Sequence, residues 1–253
     1  MKYNKIMITL VLIIFIFTVT TVCASDMNNT VIASDVNTVI KLSQVDVDDK
    51  VSAVENNEII SEGNAGTFSE LQNNITEKYG STLILTKDYE REDDFDSNGI
   101  IINQSITIDG QGHKIDAQGK SRIFKITSDN VTLKNINFIN GNTTMEGGAV
   151  YFEKSGSVSD CNFTNNEAMN VIACGGAIYM DSGSVYNCNF VNNYAEHNGG
   201  AILMGSIKNC NFTDNYGDYG GAVYFVENTP IEIINSNFIN NHARYGGGVN
   251  FFS

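Results

Sequence analysis

The sequence predicts an all-β fold, a right-handed parallel β-helix, because of one repeated unit and its apolar pattern. The unit consists of an Asn-x-Asn-Phe strand, a polar turn, a Gly-Gly pair and an apolar strand. It occurs five times between residues 135 and 253, at intervals of 22 to 27 residues. Because one copy cannot bury its own apolar face, the copies must stack on one another. We therefore expect coils of three short strands, about 4.8 Å apart and about six in number.

The alternation of apolar residues within the unit predicts which side chains face the interior. After each Gly-Gly pair, one set of alternate positions is apolar in every copy, as an interior column must be. Its members are Val150, Ile178, Ile202, Val223 and Val249, followed two positions later by Phe152, Met180, Met204, Phe225 and Phe251. The other two strands contribute Leu133, Val158, Val185, Ile207 and Ile233, and then Phe138, Phe163, Phe190, Phe212 and Phe238. The alanines after the glycines, Ala149, Ala177, Ala201 and Ala222, share the outward parity.

Asparagine recurs at fixed places in the unit. One column precedes the Phe strand and consists of Asn135, Asp160, Asn187, Asn209 and Asn235. These residue types tolerate left-handed backbone and hydrogen-bond locally, so a bend is expected there. A second column follows Phe and consists of Asn166, Asn193, Asn215 and Asn241. We interpret both columns as turn chemistry rather than as sugar or metal sites, because they recur in every coil.

The residues ahead of the repeats predict a cap and less regular coils. Thr67 to Glu70 has the spacing of a capping box, and Gly80 is a helix stop. One helical face between them carries Phe68, Leu71, Ile75 and Tyr79. A helix over residues 66–80 laid across the first coil would cover its open edge. Irregular coils then occupy residues 81–134.

The two ends of the chain carry separate expectations. Residues 1–24 have the features of a secretory signal peptide, with Lys2 and Lys5 before an apolar run and Val22-Cys23-Ala24 before the cleavage point. Residues 25–65 are rich in acids, Asn and Ser and predict a disordered spacer. The last coil, which ends at Ser253, lacks a cap, so we expect either a truncated form of a longer protein or contact with another chain there.

Charge and cysteine content restrict the function classes. The net charge of −14 argues against nucleic-acid binding, which requires Lys and Arg at the phosphates. Three cysteines, Cys161, Cys188 and Cys210, share one inward column, and Cys174 lies outside it. We expect them to be small buried apolar residues, with a disulfide as the alternative, since neighbouring coils lie within disulfide range. No metal site is expected, because no His joins the column.

The repeats resemble the polymorphic outer membrane protein repeat, whose signatures are Gly-Gly-Ala-[Ile/Val] and Phe-x-x-Asn. The second signature matches from Phe163, Phe190, Phe212 and Phe238, and it departs at Phe138 to Gly141. Residues 66–124 resemble adhesin-like surface proteins of methanogenic archaea. Together the resemblances cover residues 66–253 and imply a pectin-lyase-like β-helix displayed outside the cell. Such proteins usually continue into more coils or immunoglobulin-like repeats.

The pectin-lyase-like fold also occurs in polysaccharide lyases and hydrolases, so catalysis has to be weighed. A glycosidase needs two carboxylates flanking one bond. The outward positions of the Gly-Gly strands carry no Asp or Glu. The acidic run at Glu90, Glu92, Asp93, Asp94 and Asp96 has no ion-binding spacing and is interpreted as a solvated loop, with Ca²⁺ binding as the alternative. We therefore expect no enzyme activity, no cofactor and no metal.

A binding role is the expected function. Tyr151, Tyr179 and Tyr224 alternate with the interior column and would form an outward aromatic stripe on stacked coils. Such a stripe suits sugar rings or partner contacts, although packing between neighbouring coils is the simpler explanation. We predict a secreted or cell-surface, adhesin-like protein that contacts cell-surface glycans or other cells. A carbohydrate-binding module is the alternative, and a pectate-lyase-like enzyme is the weaker one.

Overall fold

The computed structural model describes residues 65–226 and 232–252. The fold is a parallel β-solenoid of about seven turns with one short helix, and all of its strand pairs are parallel. The sequence predicted about six coils. The additional turn comes from short strands near residues 82–90 that do not follow the repeat. Within the described residues, no helix is long and apolar enough to cross a membrane. The predicted signal peptide and most of the predicted spacer lie outside the described residues.

Three long sheets and one short sheet form the solenoid. The Phe sheet contains strands Gly66–Thr67, Tyr89–Glu90, Lys114–Asp116, Asn137–Ile139, Asn162–Thr164, Asn189–Val191, Asn211–Thr213 and Asn237–Ile239. The Gly-Gly sheet contains strands Ile100–Ile102, Phe124–Ile126, Val150–Phe152, Ile178–Met180, Ile202–Leu203, Val223–Phe225 and Val249–Phe251. The third sheet contains strands Thr82–Ile84, Ile106–Asp109, Val131–Lys134, Gly156–Ser159, Gly183–Tyr186, Ser206–Lys208 and Ile233–Ile234. The short sheet contains strands Asn142–Thr143, Glu167–Ala168 and Tyr194–Ala195.

Equivalent residues of successive coils pair directly, as the repeat predicted. Val150 pairs with Ile178, which pairs with Ile202, and the same register continues to Val223 and Val249. The Phe column is a ladder of stacked rings whose neighbouring centroids lie 4.8 Å apart. Parallel offset stacking of this kind adds stability beyond the buried area. The interior is therefore a set of continuous apolar columns.

The alanines after the Gly-Gly pairs face the core, whereas the sequence predicted that they would face outward. The N–H groups of Ala149 and Val150 both donate to the carbonyl of Ala177, at 3.0 and 2.9 Å. Two consecutive N–H groups thus point to one carbonyl, so the backbone is irregular just ahead of the strand and the alternation shifts by one position. Both Ala149 and Val150 are fully buried in consequence.

Met204 is also placed differently from the prediction. Its strand ends at Leu203, and Met204 has a φ of 59°. Met204 packs in a cluster outside the main core with Leu203 and Tyr224. The reason is the shortness of this coil, which advances only 22 residues. The next residue is Gly205, and a Cβ there would lie only 2.8 Å from the Met180 sulfur. The backbone of this short coil therefore runs close to the Met180 side chain.

The Asn-rich positions form four columns, of which two are left-handed corners, one is exposed on the strand and one is buried. The bend column before the Phe strand has left-handed backbone, with φ near 54° at Asn135 and 53° at Asn187, as predicted. A second left-handed column, which the sequence reasoning missed, follows the strand at Asn140, Asn165, Asn192, Asp214 and Asn240. Each three-residue Phe strand is therefore bracketed by two left-handed corners. The outward Asn residues on the strand itself form a third, exposed ladder.

The column after Phe is buried and satisfies the backbone. Asn166, Asn193 and Asn215 are at most 1% exposed. The Asn193 side-chain oxygen accepts from the Asn166 backbone N–H at 3.0 Å and from its Nδ2 at 2.9 Å. Asn193 Nδ2 in turn donates to the carbonyl of Phe163 and to Asn215 Oδ1. Since a buried amide without partners is costly, this ladder works only when the coils are in register.

The cap helix is shorter than predicted and spans Phe68–Thr76. Thr67 caps it by accepting from the Glu70 N–H, and Phe68, Leu71 and Ile75 are buried as expected. Tyr79 lies beyond the helix end and is 77% exposed, so its predicted place on the buried face is wrong.

The cap helix closes the first coil through one side-chain amide. Gln72 Nε2 donates to the Ile101 carbonyl at 2.9 Å, and Gln72 Oε1 accepts from the Ile101 N–H at 2.7 Å. The amide thus takes the place of the next strand at the edge of the Gly-Gly sheet.

Replacing Asn193 by Ala is expected to lower the free energy of unfolding by about 3 kcal/mol, because it leaves the Asn166 N–H and the Phe163 carbonyl buried without partners. Urea unfolding followed by circular dichroism measures the change. Asn189→Ala is the matched control, since Asn189 belongs to the exposed ladder and should cost less than about 1 kcal/mol. Equal costs for both variants would contradict the structural role of the buried ladder.

Replacing Gln72 by Glu is expected to destabilise the chain at neutral pH, because a carboxylate cannot donate to the Ile101 carbonyl. A protonated carboxyl group can both donate and accept. The pKa of this Glu should therefore be raised in the folded state, and the deficit relative to the original chain should shrink as the pH falls. Thermal unfolding of both chains from neutral to acidic pH measures this difference. A deficit that does not change with pH would contradict the capping contact.

Candidate functional site

The predicted Tyr stripe lies in one outward column of the Gly-Gly sheet. Tyr151 pairs with Tyr179, and the column continues through Leu203 to Tyr224 and Asn250. The rings of Tyr151 and Tyr179 lie 5.1 Å apart and are tilted by 32°, so they cover part of each other. Tyr224 is only 7% exposed. The stripe therefore presents ring edges rather than open faces, and its role as a binding site stays a prediction.

A buried guanidinium supports the first ring of the stripe. Arg122 is 3% exposed and lies 5.2 Å from the Tyr151 ring centroid. Its Nε donates to the Gly147 carbonyl at 3.0 Å and its Nη2 to the Glu146 carbonyl at 2.6 Å. Burial lowers the pKa of Arg122, and the negative charge of Glu146 opposes that shift. With its donors directed at backbone carbonyls, Arg122 holds a turn and does not face a ligand.

Burial also keeps the hydroxyl groups of Tyr179 and Tyr224 uncharged. Burial raises the pKa of Tyr179, and the neighbouring Asp181 carboxylate raises it further. Burial likewise raises the pKa of Tyr224. Both phenols therefore remain protonated through the neutral range. They can offer hydroxyl groups and apolar ring edges but no negative charge.

A second column, which the sequence reasoning did not identify, runs beside the stripe. The residues just before the last four Gly-Gly pairs form parallel bridges from Cys174 to Asn198, Tyr219 and Tyr245. The Tyr219 and Tyr245 rings stack with centroids 4.9 Å apart. The signal was available in the sequence as the residue that precedes each Gly-Gly pair, where Glu146, Cys, Asn and Tyr occupy the same place in successive copies.

The glycines explain why the two columns stand apart. A side chain at Gly221 would lie 2.1 Å from the Gly247 carbonyl, which leaves no room for a Cβ. Gly220 has a φ of 68°, a left-handed conformation that favours glycine. No outward side chain therefore stands between Tyr219 and Tyr224, because Ala222 and Val223 face the core.

A groove of about 360 Å³ lies along these two columns, and we call it the Tyr groove. It is lined by His197, Asn198, Tyr219, Tyr224, Tyr245, Asn250 and Phe252. Tyr224 is thus the one residue of the predicted stripe that lines it. The lining combines aromatic surface with two amides and one imidazole and contains no carboxylate. Aromatic surface with a few polar groups is typical of sites for small polar ligands.

The imidazole of His197 is held by its neighbours. Its ring packs edge-on against Tyr219, with centroids 5.6 Å apart. Its Nδ1 lies 4.0 Å from the sulfur of Cys174. Burial raises the pKa of Cys174, so this thiol stays protonated and is not an activated nucleophile. The pair therefore has the character of packing rather than of a catalytic Cys-His arrangement.

One residue of the acidic run, Glu92, caps the helix, and others make local contacts. Glu92 accepts hydrogen bonds from the N–H groups of Phe68 and Ser69 at the start of the cap helix. Asp93 pairs with Lys120, and Asp96 accepts from the Asn98 N–H. Among the residues that the structure describes, no group of three or more His, Cys, Asp or Glu side chains is arranged to hold a metal ion.

Asp109, the last residue of the strand Ile106–Asp109, has a structural role. Burial alone would raise the pKa of Asp109, but hydrogen bonds from Asn135, Lys134 and the Gln111 N–H hold it at about 2. Lys134 Nζ lies 3.0 Å from its second oxygen. The carboxylate is therefore fully ionised at neutral pH and occupied by donors.

The inward cysteines are free and fully buried, as expected for small apolar residues. Their thiols also donate to the carbonyl two residues earlier, at 3.0 Å for Cys161 and 3.2 Å for Cys188. Ser236 makes the same contact with its hydroxyl at 2.9 Å. Burial raises the pKa of Cys188 well above its usual range. A thiol or hydroxyl donor therefore fits this column at four coils, whereas the apolar side chain of Ile136 fills the same position in the preceding coil.

The comparison with known families supports the predicted resemblance to a known repeat over part of the chain. Residues 160–181 and 187–204 match the model of the Chlamydia polymorphic membrane protein repeat. Each of these two stretches includes one complete Phe strand and one complete Gly-Gly strand. No curated protein and no solved structure matches the chain. The chain is thus similar to this repeat over two of its coils.

Proposed function

We propose that the protein is a non-catalytic, secreted or cell-surface β-helix of the adhesin-like kind that contacts glycans through the Tyr groove. The observation that carries the proposal is the composition of this groove, where stacked Tyr rings and two Asn side chains face one cleft. Aromatic rings pack against the C–H faces of sugars, and side-chain amides match sugar hydroxyls as donors and acceptors.

The exposure of the lining supports an accessible ligand site. Tyr245 is 46% exposed, and its ring also lies under the guanidinium of Arg244 at 5.4 Å. Phe252 is 59% exposed at the other side of the groove. Both rings offer apolar surface that a bound sugar would cover. A binding module for carbohydrate, without any adhesive role, is the alternative that uses the same groove.

The chemistry of the Tyr groove favours binding over catalysis. Glycoside hydrolysis requires two carboxylates on opposite sides of one bond, and the groove lining contains none. Lyase chemistry requires a base and a cation beside a uronate carboxylate. The buried guanidinium of Arg122 is occupied by carbonyls, as is that of Arg91. Cleavage of uronate polymers by the purified chain would overturn this part of the proposal.

Three observations support the proposal that the protein is located outside the cell. The first 24 residues have signal-peptide character, and the net charge is strongly negative. Two coils are similar to the polymorphic membrane protein repeat, which is named for proteins of a membrane. Surface display would present the groove to glycans of other cells.

Replacing Tyr245 by Ala is expected to weaken glycan binding about tenfold, because it removes one ring face from the groove. Binding is measured on an array of β-linked oligosaccharides and then by titration of the best one. The matched control is Tyr216→Ala. Tyr216 is 43% exposed and stacks on Tyr194 away from the groove, so its removal should leave the affinity unchanged. Equal losses from both variants, or no binding to any glycan, would contradict the proposal.

A further inference from the structure

The outer surface of the Phe sheet is a regular face that the Tyr groove does not use. From residue 137 onward, each strand turns two side chains outward, an Asn and a β-branched residue. We call this surface the Asn face. It consists of Asn137, Asn162, Asn189, Asn211 and Asn237, with Ile139, Thr164, Val191, Thr213 and Ile239 beside them.

The Asn face carries no charge. None of its ten positions is Asp, Glu, Lys or Arg, although the chain has a net charge of −14. The earlier strands of the same sheet do carry charges, at Glu90, Lys114 and Asp116. In the left-handed corners that flank the face, only Asp160 and Asp214 are ionisable. Two copies can therefore approach through this face with little of the like-charge repulsion that their net charge otherwise imposes.

The polar groups of the face are already ordered. Asn162 Nδ2 donates to Asn137 Oδ1 at 2.6 Å, and Asn189 Nδ2 donates to Asn162 Oδ1 at 2.8 Å. The ladder continues to Asn211 and Asn237 at 2.8 and 2.9 Å. Each amide keeps one N–H and one acceptor lone pair free for a partner. Because the side chains are fixed before contact, little rotamer entropy is lost on association.

The β-branched column supplies apolar surface beside the amides. Val191 is 38% and Ile239 is 54% exposed. In-register columns of identical amides and of β-branched side chains are the surfaces that pack face to face in steric zippers. The Asn face thus has the features of one half of such an interface.

We propose that the Asn face is a contact surface for a second copy of this chain. The coil spacing of 4.8 Å over five coils gives a length of about 24 Å, and a width of about 15 Å gives about 360 Å² on each copy. This area is below that of a stable dimer, so the contact is weak in solution. It becomes effective where many copies are held close together, as on a surface that displays them.

The test is sedimentation equilibrium of the purified full chain at concentrations up to about 1 mM. Concentration-dependent dimerisation that strengthens with added NaCl is expected, because salt screens the net charge while the face itself is neutral. Val191→Lys and Val191→Glu should each weaken dimerisation at least about tenfold, since either charge would be buried in the contact. Val191→Thr should preserve it, because Thr occupies the equivalent position at residues 164 and 213.

Matched control variants distinguish a charge placed in the Asn face from a change in the net charge of the chain. Tyr186→Lys and Tyr186→Glu change the same charges on the outer side of the third sheet, where Tyr186 is 45% exposed, and should shift dimerisation less than about twofold. Unchanged thermal unfolding shows that the Val191 variants are folded.

A monomer at all concentrations would overturn the proposal. So would opposite effects of Lys and Glu at residue 191, or dimerisation that appears only when a glycan is added. Glycan binding by the Tyr245 variant is a separate readout, so failure here leaves the proposed function standing.

Discussion

The fold depends on keeping each coil in register with the next, and the buried Asn column enforces that register. Its carboxamides lie inside the corner after the Phe strand and satisfy backbone groups of two different coils. A coil displaced by one residue would leave several of these groups buried without partners, at about 1–3 kcal/mol for each. Apolar burial alone does not set the register so sharply, because one aliphatic column packs against another with small shifts. The polar ladder therefore specifies the stacking that the Phe ladder stabilises.

Once the register is fixed, the outer surfaces follow from it. Every outward position becomes a column, so one residue type repeated in the sequence becomes one surface of the solenoid. The Gly-Gly pairs separate two such columns and so create the Tyr groove, while the short Phe strands create the uncharged Asn face. Both surfaces arise from side chains that have no role in the core, which leaves them able to vary without loss of the fold. A solenoid of this kind can thus carry more than one contact surface along its length.

The sequence predicted the solenoid, its three interior sheets and the left-handed corner before each Phe strand, because each of these is encoded once per repeat. It did not predict the left-handed corner after the strand or the inward Ala residues, since the backbone ahead of the Gly-Gly strand departs from simple alternation without any signal in the residue types. Met204 was misplaced because the pattern carries no information on how a shorter coil closes. Tyr79 was placed on the cap helix because the stop at Gly80 suggested a longer helix than Phe68–Thr76. Of the residues that line the Tyr groove, only Tyr224 belongs to the predicted stripe. The other wall of the groove was missed, since the residue before each Gly-Gly differs from copy to copy.

The most direct test of the account is hydrogen exchange of the Asn side-chain amides, resolved by NMR. If the buried column holds the coils in register, the Nδ2 protons of Asn193 and Asn215 should exchange as slowly as the backbone amides of the Phe strands. The exposed amides of Asn189 and Asn211 should exchange far faster, since they open without unfolding the coil. Similar, rapid exchange at all four side chains would contradict the central claim that buried amides fix the stacking.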